Sequence, residues 1–442
     1  MVAFSAAGLA AVSCSSSNDE RPTFEAEDAS REASVPPTSD DAEVPDALTS
    51  RDASFDAAAL AVSCTSDPCA TSLVTTLGTS DTDGAEGFCA LLRDGTVACW
   101  GANQAGQLGR ADEAGALDSP SPARVVGLTN IVRLEHTCAI DADGGVFCWG
   151  TGPFLQSDAQ VTSTERTPVK LPIPSASYMG FSPIAACAEL ADGPVCWGSN
   201  TLAQVAAWTN PHPPAFLAPS PVATPNTTPV RNLYMANATF RLHDDGIVDS
   251  WGANPAIARE SSLAPDPYPA KLALEPVSHI DVVASNGCAV SLGIGYCWGA
   301  PIPEAKFSFK PDNLFDRALP EPVIVPEPVH RIATTNHVVT TVLGDKIIQP
   351  QRWCAVGASG ALFCWGFNAS GQAGDGTQHY ASEAVKVVSL AAPAADVKTT
   401  PNATCALLTT GKVHCWGSNF YGQLGTGKLK ASSLVPQEVV LP

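Results

Sequence analysis

The chain has 442 residues and a formal net charge of −20, with 37 prolines and 35 glycines in a composition that is 45% hydrophobic. That balance describes a folded, turn-rich chain and excludes both a helical bundle and a wholly disordered polymer. An acidic chain with no Lys/Arg cluster cannot release counterions from a phosphate backbone, which excludes nucleic acid as a partner, while 15 cysteines point to an oxidising compartment.

Residues 1–13, MVAFSAAGLAAVS, are apolar and small but too few to span a bilayer, and they read as a signal-peptide-like segment. No Lys or Arg precedes them, so the reading frame is expected to begin upstream of Met1. The run from Leu9 to Cys14 resembles a bacterial lipobox, with Ala11 at the usual leucine position. The resemblance implies that Cys14 is lipidated and becomes the mature N-terminus. Residues 14–63 then form the lipid acceptor and an acidic disordered tether, since positions 15–56 hold twelve Asp/Glu against three Arg and few large apolar groups. The expected location is a bacterial envelope, as an outer-membrane or surface lipoprotein, or the secreted space. Membrane contact would be through the lipid alone.

Residues 64–442 read as one repeat domain. The dipeptide Trp-Gly recurs at Trp100, Trp149, Trp197, Trp251, Trp298, Trp365 and Trp416, at intervals of 49, 48, 54, 47, 67 and 51 residues. A unit of that length is one small antiparallel sheet that must stack on its neighbours, so the architecture is radial or solenoidal. The copies FCALLRDGTVACWGANQAGQLG from Phe88 and TCALLTTGKVHCWGSNFYGQLG from Thr404 each contain a hairpin followed by a glycine-rich loop. A tryptophan repeated once per unit is expected to be inter-unit core.

In the first copy a three-residue turn, Arg93-Asp94-Gly95, sets Cys89 opposite Cys99 at disulfide distance. The same offset pairs Cys138 with Cys148, Cys354 with Cys364 and Cys405 with Cys415; Cys187 with Cys196 and Cys288 with Cys297 are one residue closer and need a different turn. The remaining unit has Phe240 and Ser250 at the two cysteine positions, so both thiols are missing together. Cys64 with Cys69 closes a small loop before the ring, which leaves only Cys14. Zinc is disfavoured because structural sites bring cysteines at closer spacing or recruit histidines, so no metal or other cofactor is expected.

The pattern xCALxxDGxVxCWGxNxxGQLG resembles the cysteine-containing bacterial variety of the regulator-of-chromosome-condensation repeat, over residues 70–442. The resemblance implies an all-β, seven-bladed propeller with four-stranded blades, closed by pairing the two chain ends within one blade. Val435 to Leu441 and Ser72 to Gly78 are the segments expected to complete that blade. The eukaryotic namesake exchanges nucleotide on a small GTPase, but export, disulfides and an acidic body argue against that role here.

No nucleophile with an ordered base and no phosphate loop is present. The expectation is a non-catalytic, monomeric scaffold that binds a protein or glycan through its loops. The Pro-rich spans 153–183, 205–235, 254–278 and 301–336 replace the glycine-rich loop retained at Asn103, Asn368 and Asn419; Phe307, Phe309 and Phe315 mark the candidate binding loop. The alternative is a propeller glycoside hydrolase, because Asp94-Gly95-Thr96 with Trp100 resembles the aspartate-box turn of sialidases. Asp244-Asp245 is expected to support a hairpin turn. The Asn-x-Ser/Thr sites at Asn226, Asn237, Asn368 and Asn402 are expected to be chance occurrences.

Overall fold

The computed structural model describes residues 60–76, 86–111, 117–155, 161–207, 216–274, 276–299, 319–342 and 345–442. They form seven four-stranded antiparallel blades, each built from one contiguous stretch of chain. Blade 1 runs through Ala70–Thr75, Gly87–Leu92, Val97–Gly101 and Ser119–Arg124; blade 7 ends with Ser433–Glu438. Cys14 and the tether as far as residue 59 lie outside the described residues, whereas residues 60–63, expected to belong to the disordered tether, are held on the ring, with Val62 packed against the cluster between blades 7 and 1.

The seven apolar clusters are the seven blade interfaces. Cys89 and Cys99 pack with Trp149 of the next blade, Cys354 and Cys364 with Trp416, and, across the ends of the chain, Cys405 and Cys415 with Trp100. Because side chains alternate across a strand, each blade offers its cysteine pair to one neighbour and its indole to the other. In blade 4, where the cysteines are missing, Phe240 takes the place of the disulfide and meets Trp298 with ring centroids 5.6 Å apart.

The cysteine pairs stand at the expected registers. The six within blades are directly opposed with Cα atoms 4.0 to 4.1 Å apart, and Cys64 with Cys69 spans 5.8 Å. The shorter offset in blade 5 is met by a two-residue turn in which Leu292 and Gly293 both have positive φ, as a primed hairpin turn requires.

The glycine after each tryptophan has a steric cause. In six copies its φ lies between 97° and 125°, as at Gly101 and Gly417, where L residues are strained. A Cβ there would also strike the backbone of the hairpin's other strand. Gly150 differs, with φ 78° and 3.5 Å of clearance.

The ring does not close by pairing the two chain ends, contrary to the expectation. Ser433–Glu438 pairs with Val413–Gly417 as the fourth strand of blade 7, and Ala70–Thr75 pairs with Gly87–Leu92 as the first strand of blade 1. Closure instead repeats the joints found elsewhere. The Trp149 indole N–H donates to the Gln107 carbonyl of the preceding blade at 2.8 Å, and Trp100 donates to Gln423 at 2.9 Å across the seam. On the opposite face, the first strand's leading N–H donates to a hairpin carbonyl of the preceding blade, as Ile131 does to Gly95 and Ala70 to Gly411, both at 2.9 Å. The loop of Cys64 and Cys69 straps this seam: Ser63 donates to Thr409 of blade 7, and the Cys69 carbonyl accepts from Arg93 of blade 1.

The Pro-rich spans are not loops throughout. Ser163–Lys170, Leu217–Pro221, Asp266–Lys271 and Glu321–Pro322 are the outermost strands of blades 2 to 5. Proline occurs in the outer strand of every blade but the sixth, and there it blocks edge-to-edge pairing without removing a ladder bond from the interior. The glycine-rich loop also survives in blade 3, beyond the three copies expected. Asn200 Oδ1 accepts from Val205 at 3.0 Å just as Asn103 does from Leu108, with Ala203 at φ 57° standing where Gly106 does.

Blade 4 is cross-linked ionically where it lacks a disulfide. His243 and Asp249 are buried, with side chains 0% and 2% exposed; Nδ1–H donates to Thr228 O at 2.8 Å and Nε2–H to Asp249 at 3.1 Å. Burial works against the imidazolium, but these two bonds and the Asp249 charge outweigh it and raise its pKa. A raised folded pKa means the stabilisation is fully present below the unfolded value of about 6.5 and is lost as pH rises through the folded one. Thermal unfolding of wild type and His243→Gln between pH 5 and 9 should show the variant a few degrees less stable at the acid end and the gap narrowing with rising pH. A gap constant with pH would rule this out. Asp245 serves the adjoining turn, accepting the Ile247 N–H at 3.0 Å.

Candidate binding surface and central cavity

The meander sends two kinds of connection to one face of the ring, from first to second strand and from third to fourth, and the long ones are all of these kinds. The other face carries tight hairpin turns and short linkers. On the loop face stand exposed Leu117 of blade 1, Tyr380 of blade 6, and Phe420 and Leu429 of blade 7. Phe420 is 56% exposed and is braced by Tyr421 at 4.9 Å and by the Lys430 ammonium at 5.3 Å. Phe307, Phe309 and Phe315 lie outside the described residues, in the third-to-fourth connection of blade 5.

Sequence reasoning missed a hairpin on this face. Val338–Val342 pairs with Asp345–Gln349 inside the first-to-second connection of blade 6. Its root is held by Gln349 Nε2, which donates to Pro401 O at 3.0 Å. The signal was present: two β-branched runs flanking Leu-Gly, within the one 67-residue interval.

Of the repeated tryptophans, Trp100, Trp149, Trp197, Trp251 and Trp416 are fully buried and Trp298 nearly so. Trp365 differs: it is half-buried and stacks on Trp353 at 6.1 Å.

The innermost strands enclose a central cavity of about 910 Å³. The residue opposite the first cysteine position of each blade is Val74, Glu135, Gly180, Tyr234, Asp281, Ala333 or Lys398. Two residues earlier stand Ser72, Arg133, Tyr178, Asn232, His279, Arg331 and Asp396, which all line the cavity. Lys398 Nζ lies 3.5 Å from Asp281 Oδ1, and Asp281 Oδ2 accepts the Thr334 N–H at 2.9 Å. Burial opposes the Lys398 charge, but Asp396, Asp281 and Glu135 outweigh it and hold the ammonium charged. Burial raises the pKa of Glu135, against the pull of His136 and Lys398, and raises that of Tyr234. His279 is driven well below its usual value by burial and then by Arg331, Lys398 and Arg231, so it is neutral. Its Nε2–H donates to Ile332 O at 3.1 Å, leaving Nδ1 as an acceptor. Among the described residues no three His, Cys, Asp or Glu gather as a metal site.

The comparisons agree with this architecture. Sequence models of the regulator of chromosome condensation (RCC1) repeat match residues 84–107, 395–423 and 410–442. Among solved structures, Prp20p of Saccharomyces cerevisiae, described with its binding properties to Gsp1p and histones, is 19% identical over 74% of this chain and 80% of its own, with a TM-score of 0.56. Human WBSCR16 is 15% identical over 78% of this chain and 95% of its own, with a TM-score of 0.59. Identities this low carry the fold alone.

Proposed function

Because the chain is a seven-bladed repeat propeller of the regulator-of-chromosome-condensation type, we propose that it is a non-catalytic scaffold that holds a protein partner against its loop face. The observation that carries this reading is the set of exposed apolar side chains at Leu117, Tyr380, Phe420 and Leu429, all on third-to-fourth connections of three consecutive blades. Aromatic anchors on a rigid frame are what protein interfaces use as hot spots. That the yeast protein of the same fold is described as binding Gsp1p and histones, both proteins, is in keeping with a protein partner. With the propeller immobilised and an envelope extract as the source, the double variant Tyr380→Ser/Phe420→Ser should retain at least about tenfold less of the captured partner, with unchanged circular dichroism. Undiminished capture would remove the rim from consideration. Deleting residues 303–320 tests the Phe307, Phe309 and Phe315 loop in the same assay.

The same reading includes anchoring to a bacterial envelope through a lipid on Cys14. It is supported by the cysteine ledger, since fourteen of the 15 cysteines are paired and Cys14 is the one left over. Metabolic labelling with palmitate should mark the wild type and not Cys14→Ala; an unlabelled wild type would end the idea.

A further inference from the structure

We propose that the central cavity binds a small, singly charged carboxylate sugar, gripped by Arg231 and Arg331 on either side of His279. The site belongs to the channel and not to the loop face, so the two readings stand or fall separately.

The size is right, since pockets for small molecules run from about 300 to 1,000 Å³ and this one is about 910 Å³. The charge is more telling. Arg93, Arg124, Arg241 and Arg259 each pair with a carboxylate. Arg133, Arg231 and Arg331, which line the cavity, have no carboxylate within ion-pair distance among the described residues. Instead Arg231 donates to Val277 O at 2.8 Å, Arg331 donates to His330 O at 3.3 Å, and Arg133 sits over the Tyr178 ring at 4.0 Å. An acidic chain that leaves three guanidiniums without a direct ion-pair partner around one cavity is arranged for an anion, and a guanidinium fork matches a carboxylate.

The other lining groups decide which anion. Glu135, Asp281 and Asp396 face the same space and would repel a doubly charged phosphate, but they accept hydrogen bonds from hydroxyls. His279 Nδ1 adds a neutral acceptor, since its Nε2–H is already committed to Ile332 O. One negative charge for the arginines and several hydroxyl donors for the acceptors describe an acidic sugar.

Calorimetric titration of the full chain with glucuronate, N-acetylneuraminate, glucose and inorganic phosphate tests this. At least one acidic sugar should bind, with glucose and phosphate about tenfold weaker or undetectable. Arg231→Met and Arg331→Met should each weaken binding about tenfold, and Arg331→Lys should recover part of the loss. Tyr380→Ser/Phe420→Ser should bind like wild type. The proposal is overturned if neither acidic sugar binds up to about 10 mM, if the arginine variants bind as the wild type does, or if phosphate binds as well as the sugar does. Circular dichroism of the variants separates a lost site from a lost fold.

Discussion

Gly417→Ala is expected to destabilise the propeller by about 3–4 kcal/mol, whereas Gly150→Ala, the same substitution at the equivalent position of blade 2, should cost about 1 kcal/mol. Two penalties add at Gly417. Its φ of 103° lies where an L residue is strained, and its Cβ would stand 2.5 Å from the Asn402 carbonyl oxygen. That oxygen already accepts the Ser418 N–H at 2.8 Å, so it cannot withdraw without breaking a bond of the hairpin. At Gly150 only the first penalty applies, because the nearest atom is 3.5 Å away. Thermal unfolding of the two variants side by side checks the difference, and equal losses would show that the collision is relieved by a backbone shift.

The second large effect is expected at the seam. Glu86 of blade 1 is buried and accepts from four donors of blade 7: Thr400 Oγ1 at 2.7 Å, Asn402 N at 3.1 Å, Asn402 Nδ2 at 2.8 Å and Gln423 Nε2 at 3.2 Å. From the other side Arg352 of blade 6 donates to the Thr400 carbonyl at 2.7 Å, to Thr404 Oγ1 at 2.7 Å and to Ala403 O. The two charges thus clasp one short connection of blade 7. Burial raises the Glu86 pKa and lowers that of Arg352 to about 9, so each ion is held at a cost that the other reduces. Glu86→Ala leaves buried donors unpaired and Arg352 without its counter-charge, and should cost about 3–5 kcal/mol; Arg352→Met alone should cost a similar amount. The double variant Glu86→Ala/Arg352→Met should fall well short of the sum, and simple additivity in a double-mutant cycle would show that the two groups act independently.

The blades were legible in the sequence because their marks are steric and covalent. Trp100 has to fill an interface, Gly101 has to follow it, and Cys89 and Cys99 have to oppose each other, so these residues recur. The channel was not legible, for the converse reason. The apolar row of Leu73, Leu134, Met179, Leu233, Ile280, Ile332 and Val397 repeats because it packs between blades. The positions just before it face open space and are free to differ, as Arg133, Tyr178 and Asp396 do. The closure was misread because the seam joints are a Gln423 carbonyl and a Gly411 carbonyl, and backbone groups leave no signature in composition.

The placement of the cysteines bears on how the chain can be oxidised. The six pairs within blades are separated by only nine or ten residues, and Cys64 from Cys69 by five. In an unfolded chain the closest thiol along the backbone is the one met most often, because closing a loop of about ten residues takes roughly 10–100 ns and longer loops carry a larger entropic penalty. For each of these cysteines the nearest neighbour is also the native partner. An oxidant acting before any blade has formed is thus steered toward correct pairing by proximity alone, and the propeller has little need of an isomerase to sort fourteen thiols.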